Sequence, residues 1–203
     1  MILVADVETS GLWREDLDPL APEQPNLVSI GARLYDRNWR EAGRLSVLVK
    51  PEGWHIEAGA EAAHGISTAR CARYGVPLGA ALVPFMGMAE AAGRIVFHHA
   101  NFDRAVIAAA IARAGGSGIG WKALGRKLFC TMEASTDDCK LPGKFAGYKF
   151  PSLAEACAIL CPGVDLTGAH DVDVDIAATT ALYRALVAGG HVAEFTGFDV
   201  EIA

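Results

Sequence analysis

The chain opens Met1-Ile2-Leu3-Val4-Ala5-Asp6-Val7-Glu8, an apolar run that reads as a strand over 1–7, with carboxylates at two alternate positions near its end. A strand turns successive side chains to opposite faces, so Asp6 and Glu8 project together while Ala5 and Val7 face away. A run this apolar suits a strand buried on both sides. Two acids held side by side at the end of such a strand repel unless protonated or bridged by a cation, and an all-oxygen site of this kind suits Mg²⁺ or Mn²⁺. The competing reading ends the strand at Ala5 and leaves both acids in water.

Further strands are read over 27–35 and 45–49, joined by a polar turn at 36–43. Helical patterns follow over 57–63, 67–74 (capped by Ser67) and 77–92. A fourth strand at 94–98 leads into a helix at 101–114, capped by Asn101 and ended by Gly115-Gly116, and a fifth strand is expected at 128–132. Helices at 152–160 and 173–188 and a short tail helix after Gly190 complete the chain. A strand meander followed by helix–strand alternation predicts an α/β fold, a mixed five-stranded sheet with helices on both faces. At 203 residues, one domain is expected, with a core over about 1–188 and a short tail over 190–203. Two long loops stand out, 13–26 with three prolines and 135–151 with glycines and lysines, and loops of this length are commonly functional. The glycine-rich stretch 115–120 matches neither phosphate-loop spacing and reads as a helix stop.

Two more segments carry chemistry. His98-His99-Ala100-Asn101-Phe102-Asp103 falls where a strand gives way to a helix, the place where open sheets put their sites, although an acid in a first helical turn is also favoured by the helix dipole. His170-Asp171-Val172-Asp173-Val174-Asp175 precedes the last long helix, and spacing alone does not select which of its three aspartates would face a metal. The five cysteines form neither a CxxC pair nor a cluster with histidine and read as reduced, buried thiols. No run approaches the roughly 20 apolar residues of a spanning helix, and no basic leader precedes Ile2, so a soluble, cytoplasmic protein is expected, without a membrane partner.

Together these segments resemble the DnaQ-like 3′-to-5′ exonucleases of the subgroup marked by Asp, Glu, Asp, Asp and His, within the ribonuclease-H-like superfamily. Asp6-Val7-Glu8-Thr9-Ser10-Gly11-Leu12 is similar to the family's first motif, His98 to Asp103 to its second, and His170 with Asp175 to its third. Ala63-His64-Gly65-Ile66 looks like the family's His-Gly-Ile segment. The resemblance implies a ribonuclease-H-like fold in which Asp6, Glu8, Asp103 and Asp175 gather two Mg²⁺ or Mn²⁺ ions and His170 acts as general base. It also implies that Thr9, Leu12, His64 and Phe102 line the pocket for the last nucleotide. His99 stands where the family usually has Asn, which would alter a hydrogen bond near Asp103 or add a donor toward substrate, and the 13–26 loop looks longer than usual.

The formal charge of −6 excludes a protein that coats nucleic acid through a large positive field. A strand's grip must then be local, and residues 120–150 carry 6 basic against 3 acidic side chains, with aromatics interleaved. Lys140, Lys144 and Lys149, with Phe145 or Tyr148, are expected to form a mobile lip beside the site, while Phe129 on its strand is expected in the core. The expected activity is release of nucleoside 5′-monophosphates from DNA 3′ ends, as in proofreading or repair. The alternatives are an exoribonuclease and a non-catalytic nucleic-acid-binding relative; the intact set of repelling carboxylates counts against the last.

Overall fold

A computed structural model describes residues 1–193 together with Phe195 and Thr196. Most of the expected tail, 190–203, lies outside the described residues, and with it the greater part of the segment expected as a tail helix. Five strands, β1 (Ile2–Thr9), β2 (Leu27–Tyr35), β3 (Glu41–Leu48), β4 (Arg94–Phe97) and β5 (Leu128–Cys130), form one sheet in the order β3-β2-β1-β4-β5. The first three are an antiparallel meander, and β1–β4 and β4–β5 are parallel. The sheet is therefore mixed, with the strand that carries Asp6 and Glu8 at its centre.

Among the described residues, eight α-helices accompany the sheet: α1 (Ala58–His64), α2 (Thr68–Tyr74), α3 (Leu78–Ala91), α4 (Ala100–Arg113), α5 (Ile119–Leu124), α6 (Thr131–Cys139), α7 (Leu153–Leu160) and α8 (Val172–Ala188). The alternation of β1 divides them between faces. Leu3, Ala5 and Val7 join Phe85 of α3 and Ile107 of α4 in one core, whereas Ile2 and Val4 join Val172, Ile176 and Tyr183 of α8 in another. This is the ribonuclease-H-like arrangement expected from sequence, with helices on both faces. Among the described residues, no helix is long and apolar enough to cross a membrane.

Several boundaries differ from the sequence reading, and α5 was not expected at all, since 115–120 read only as a helix stop. β1 runs on to Thr9, so both acids lie within the strand. β3 begins at Glu41 because Asp36 accepts from the amides of Asn38 and Arg40 and Trp39 takes a left-handed φ of 60°, which shortens the turn. β5 ends at Cys130, and the chain turns directly into α6 where a strand end and then a loop were expected; buried Thr131, its hydroxyl bonded to the Phe97 carbonyl at 3.3 Å, fixes that corner. Phe129 is partly buried and packs edge-on against Tyr183, with ring centroids 5.2 Å apart.

Candidate functional site

The β1–β4 register pairs Val4 with Val96, and β4 ends one residue later at Phe97. β1 therefore continues beyond its parallel neighbour just where Asp6 appears, and α4 starts alongside. Backbone bonds from the Phe102 and Asp103 amides to the His99 carbonyl wind the first turn of α4 and place Asp103, only 3% exposed, against β1. The Val7 amide lowers the proton affinity of both Asp6 and Asp103 by hydrogen bonding, against a larger opposing effect of burial.

The fourth acid arrives from the far face. Gly31, opposite Asp6 on β2, lets α8 approach so closely that a Cβ there would meet Val172 Cγ2 at 2.6 Å and Ile176 Cδ1 at 2.8 Å. The start of α8 sorts its three aspartates into separate roles. Asp171 caps the helix by accepting from the Asp173 amide at 2.9 Å, and Asp173 pairs with Arg33 at 2.9 Å. Asp175 accepts from the His170 amide at 3.1 Å, and His170 holds a left-handed φ of 70°. Ligand atoms of Glu8, His170 and Asp175 lie within 4.8 Å of one another.

The electrostatics are those of crowded, poorly solvated carboxylates. Burial first, then Asp103, Glu8 and Asp175, raise Asp6 well above the usual carboxylate range. Burial, with Asp175 and Asp171, pushes Glu8 up to about 8, and burial likewise raises Asp103 and Asp175. Asp6 Oδ2 is buried without any hydrogen-bond partner. An orphaned carboxylate oxygen on an acid whose charge is opposed by Asp103, Glu8 and Asp175 fits a hard divalent cation with oxygen ligands, which would supply the missing partner and cancel the repulsion, although only Glu8, His170 and Asp175 already hold ligand atoms within 4.8 Å of one another.

Of the residues expected to meet a nucleotide, Thr9 and Phe102 adjoin Glu8 and Asp103 in sequence and His64 bonds Thr9, whereas Leu12 lines a separate cleft with Arg14, Trp54 and Glu57. Thr9 is buried, its hydroxyl donating to the Gly11 carbonyl at 2.8 Å, and Leu12 is 87% exposed. His64 is buried: its Nε2 donates to the Thr9 carbonyl at 3.2 Å and its Nδ1 accepts from the Ile66 amide at 3.1 Å, which fixes a neutral ring whose proton affinity burial lowers. Phe102 lies between Trp13, edge-on at 6.5 Å, and His99, stacked at 5.8 Å. The unusual histidine thus extends an aromatic surface beside Asp103.

Both long loops are anchored. Gln24, 1% exposed, bonds the Arg14 amide and carbonyl at 3.0 and 2.7 Å, and Arg113 of α4 holds the carbonyls of Ala21, Gln24 and Pro25. The second loop folds as a hairpin with a Pro142–Tyr148 bridge, leaving Phe145 at 91%, Tyr148 at 48% and Phe150 at 60% exposure. Lys140, at a left-handed φ of 50°, caps α6, Lys144 lies near the hairpin tip, and Lys149 is paired with Glu155 at 2.6 Å. His98, unassigned by sequence reasoning, ties the hairpin to β4: its Nε2 donates to the Pro151 carbonyl at 3.2 Å, and its Nδ1 faces the Thr131 hydroxyl at 3.0 Å. Burial lowers its pKa to about 4, so the ring stays neutral.

No family model and no curated protein matches the sequence. Solved structures do match. E. coli exonuclease I in complex with a dT13 oligonucleotide superposes with a TM-score of 0.71 at 18% identity, over 92% of this chain and 40% of that one. A zinc-bound E. coli exonuclease I–single-stranded DNA complex gives 0.71 at 17% identity, over 93% and 40%. A product-bound exonuclease I gives 0.72 at 16%, over 92% and 43%. The chain spans less than half the length of these proteins. At such identities the likeness is one of architecture, and the chain has the ribonuclease-H-like fold found in exonuclease I.

Proposed function

We propose that this chain is a metal-dependent 3′-to-5′ exonuclease that removes nucleoside 5′-monophosphates from DNA 3′ ends in the manner of proofreading or repair enzymes, with RNA ends as the alternative substrate. One observation carries the reading: Asp6, Glu8, Asp103 and Asp175, brought from three separate segments, converge at one end of the sheet with an orphaned carboxylate oxygen among them and His170 at their edge. The shared fold supports it, since the exonuclease I structures are complexes with oligonucleotides and with product.

The four acids would hold two Mg²⁺ or Mn²⁺ ions, which when bound neutralise phosphate charge and stabilise the entering and leaving oxygens. His170 accepts the proton of the attacking water at an imidazole nitrogen. The water oxygen bonds to the terminal phosphorus as its bond to the upstream 3′-oxygen breaks, and that oxygen takes a proton from solvent. Leu12 and Phe102 offer apolar surface to the last base, His99 widens that surface, and Thr9 and His64 shape the wall behind it. Lys140, Lys144 and Lys149 draw the upstream phosphates toward the hairpin.

The test is digestion of 5′-labelled DNA and RNA, single- and double-stranded, with Mg²⁺ or Mn²⁺. Stepwise shortening from the 3′ end with release of 5′-monophosphates, stopped by chelation, is expected. Internal cleavage, or full activity in excess chelator, rules the reading out.

A further inference from the structure

The loop 13–26 forms one wall of a cleft of about 570 Å³, and the segment 53–57 forms the other. Ser10, two residues beyond Glu8 and 5% exposed, stitches the two walls together. Its amide donates to the Asn26 carbonyl at 2.9 Å, its hydroxyl accepts from the Asn26 amide at 2.8 Å, and its carbonyl accepts from the Glu57 amide at 2.8 Å. Gln24 and Arg113 hold the rest of the loop in place. The cleft is thus built before anything enters it, and its volume falls within the roughly 300 to 1,000 Å³ of pockets that hold small organic groups.

The chemistry of the lining favours a nucleobase over a phosphate. Its formal charges are Arg14 against Glu23 and Glu57, with His55 counted as neutral, and Arg14 is already engaged by Asp16 at 2.8 Å. A phosphate would enter against net negative charge. An uncharged base meets the partly buried indole of Trp54, on which it can stack, and the Asn26 amide and Glu57 carboxylate, which suit the donors and acceptors of base edges. Leu12, 87% exposed, lines this cleft, whereas the next residue, Trp13, packs on Phe102, the neighbour of Asp103. Consecutive residues therefore join the cleft to the aromatic surface beside the acids.

We propose that this cleft is a second base subsite, which takes one unpaired base of the bound strand upstream of the terminal nucleotide and leaves that nucleotide's phosphate outside. The inference rests on the nucleic-acid reading of the site, and it adds the requirement that a base upstream of the cut be unpaired.

The probes are 5′-fluorescein-labelled single-stranded oligodeoxynucleotides with one abasic position, moved stepwise from the second to the fifth nucleotide from the 3′ end. Kd is read by fluorescence anisotropy in Ca²⁺, which takes oxygen ligands in a looser geometry, and cleavage is read separately in Mn²⁺. Loss of the base at one position should weaken binding about 5- to 100-fold, the worth of a stacked base. Trp54→Ala should weaken binding of the intact strand by a similar factor and have no effect once that base is absent. Trp54 also packs against two core clusters, so Tm is recorded. Should that variant unfold, Glu57→Gln replaces it, because the Glu57 side chain caps no amide of α1; an about 2- to 10-fold loss that vanishes without the base is then expected. A penalty that is equal at every position, or that survives in the variant, overturns the proposal. A free nucleoside 5′-monophosphate that binds the wild type but not the variant, with no abasic penalty on the strand, marks a nucleotide pocket apart from the substrate and overturns it too. A chain that shows the penalty at one position yet releases no 5′-monophosphate in Mn²⁺ sinks the exonuclease reading and leaves the subsite standing.

Discussion

His170 shows how much of a site can rest on one backbone angle. A left-handed φ of 70° is costly for a residue with a Cβ, and here it turns the amide of His170 onto Asp175 while the ring stays beside Glu8. Removing the ring should therefore separate chemistry from binding. His170→Ala should retain metal and substrate affinity and lose about 10²- to 10⁴-fold in kcat, the range of general-base catalysis, as read from single-turnover kinetics and Mn²⁺ titration. A full rate across neutral pH would remove His170 as the base. At this scale, Asp6 and Glu8 were legible in sequence because strand periodicity alone puts them together. Asp175 was not separable from Asp171 and Asp173 by spacing, since the choice depends on where α8 begins and on Arg33, a partner more than a hundred residues away.

The elements most plainly written in sequence were β1, β2, α4 and α8, although Asn101, expected to cap α4, lies inside that helix, whose N-cap is His99, and donates to Glu133 instead. α6 was hidden because its residues, with Ser135, Thr136, Asp137 and Asp138 in succession, have loop-like composition, and only the corner at Thr131 and packing against its neighbours make it a helix. Helix α8 reaches the sheet through Gly31, so Gly31→Ala should lift its first turn away from β2. Overpacking of this kind costs about 1 to 3 kcal/mol, and kcat should fall further than the loss of stability explains, because Asp175 moves with the helix. Thermal melts and kcat measured together check this; unchanged activity would show that the helix end repacks. The hairpin at 140–151 yields a graded expectation. Neutralising Lys140 and Lys144 should raise KM and flatten its log–log salt dependence by about 0.7 per lysine for a single strand, with kcat nearly unchanged. Lys149, engaged with Glu155, should contribute less on its own. An unchanged salt slope in the double variant would exclude the hairpin from strand binding.

Across the whole molecule, the acid cluster couples stability to pH and to metal. The folded chain holds Glu8 at about 8 against 4.5 in its ordinary state, so between those values the folded form binds more protons than the unfolded one. The stability attached to this group is fully present below about pH 4.5 and is lost as pH rises through about 8, and the raised values of Asp6, Asp103 and Asp175 act in the same direction. Chelator-treated protein should therefore lose Tm between pH 5 and pH 8, and Mn²⁺ should restore it at pH 8 by binding only the folded state. A flat Tm, with or without Mn²⁺, would show that the carboxylates are already relieved of their repulsion. The overall architecture was legible because a meander followed by alternation admits few arrangements, whereas the junctions between elements were set by contacts distant in sequence. Within this chain β1 is synthesised long before α8. An unfinished chain thus lacks Asp175 and His170 however well its sheet has formed, so under the proposed function the order of synthesis keeps a nascent polypeptide from completing its acid cluster early.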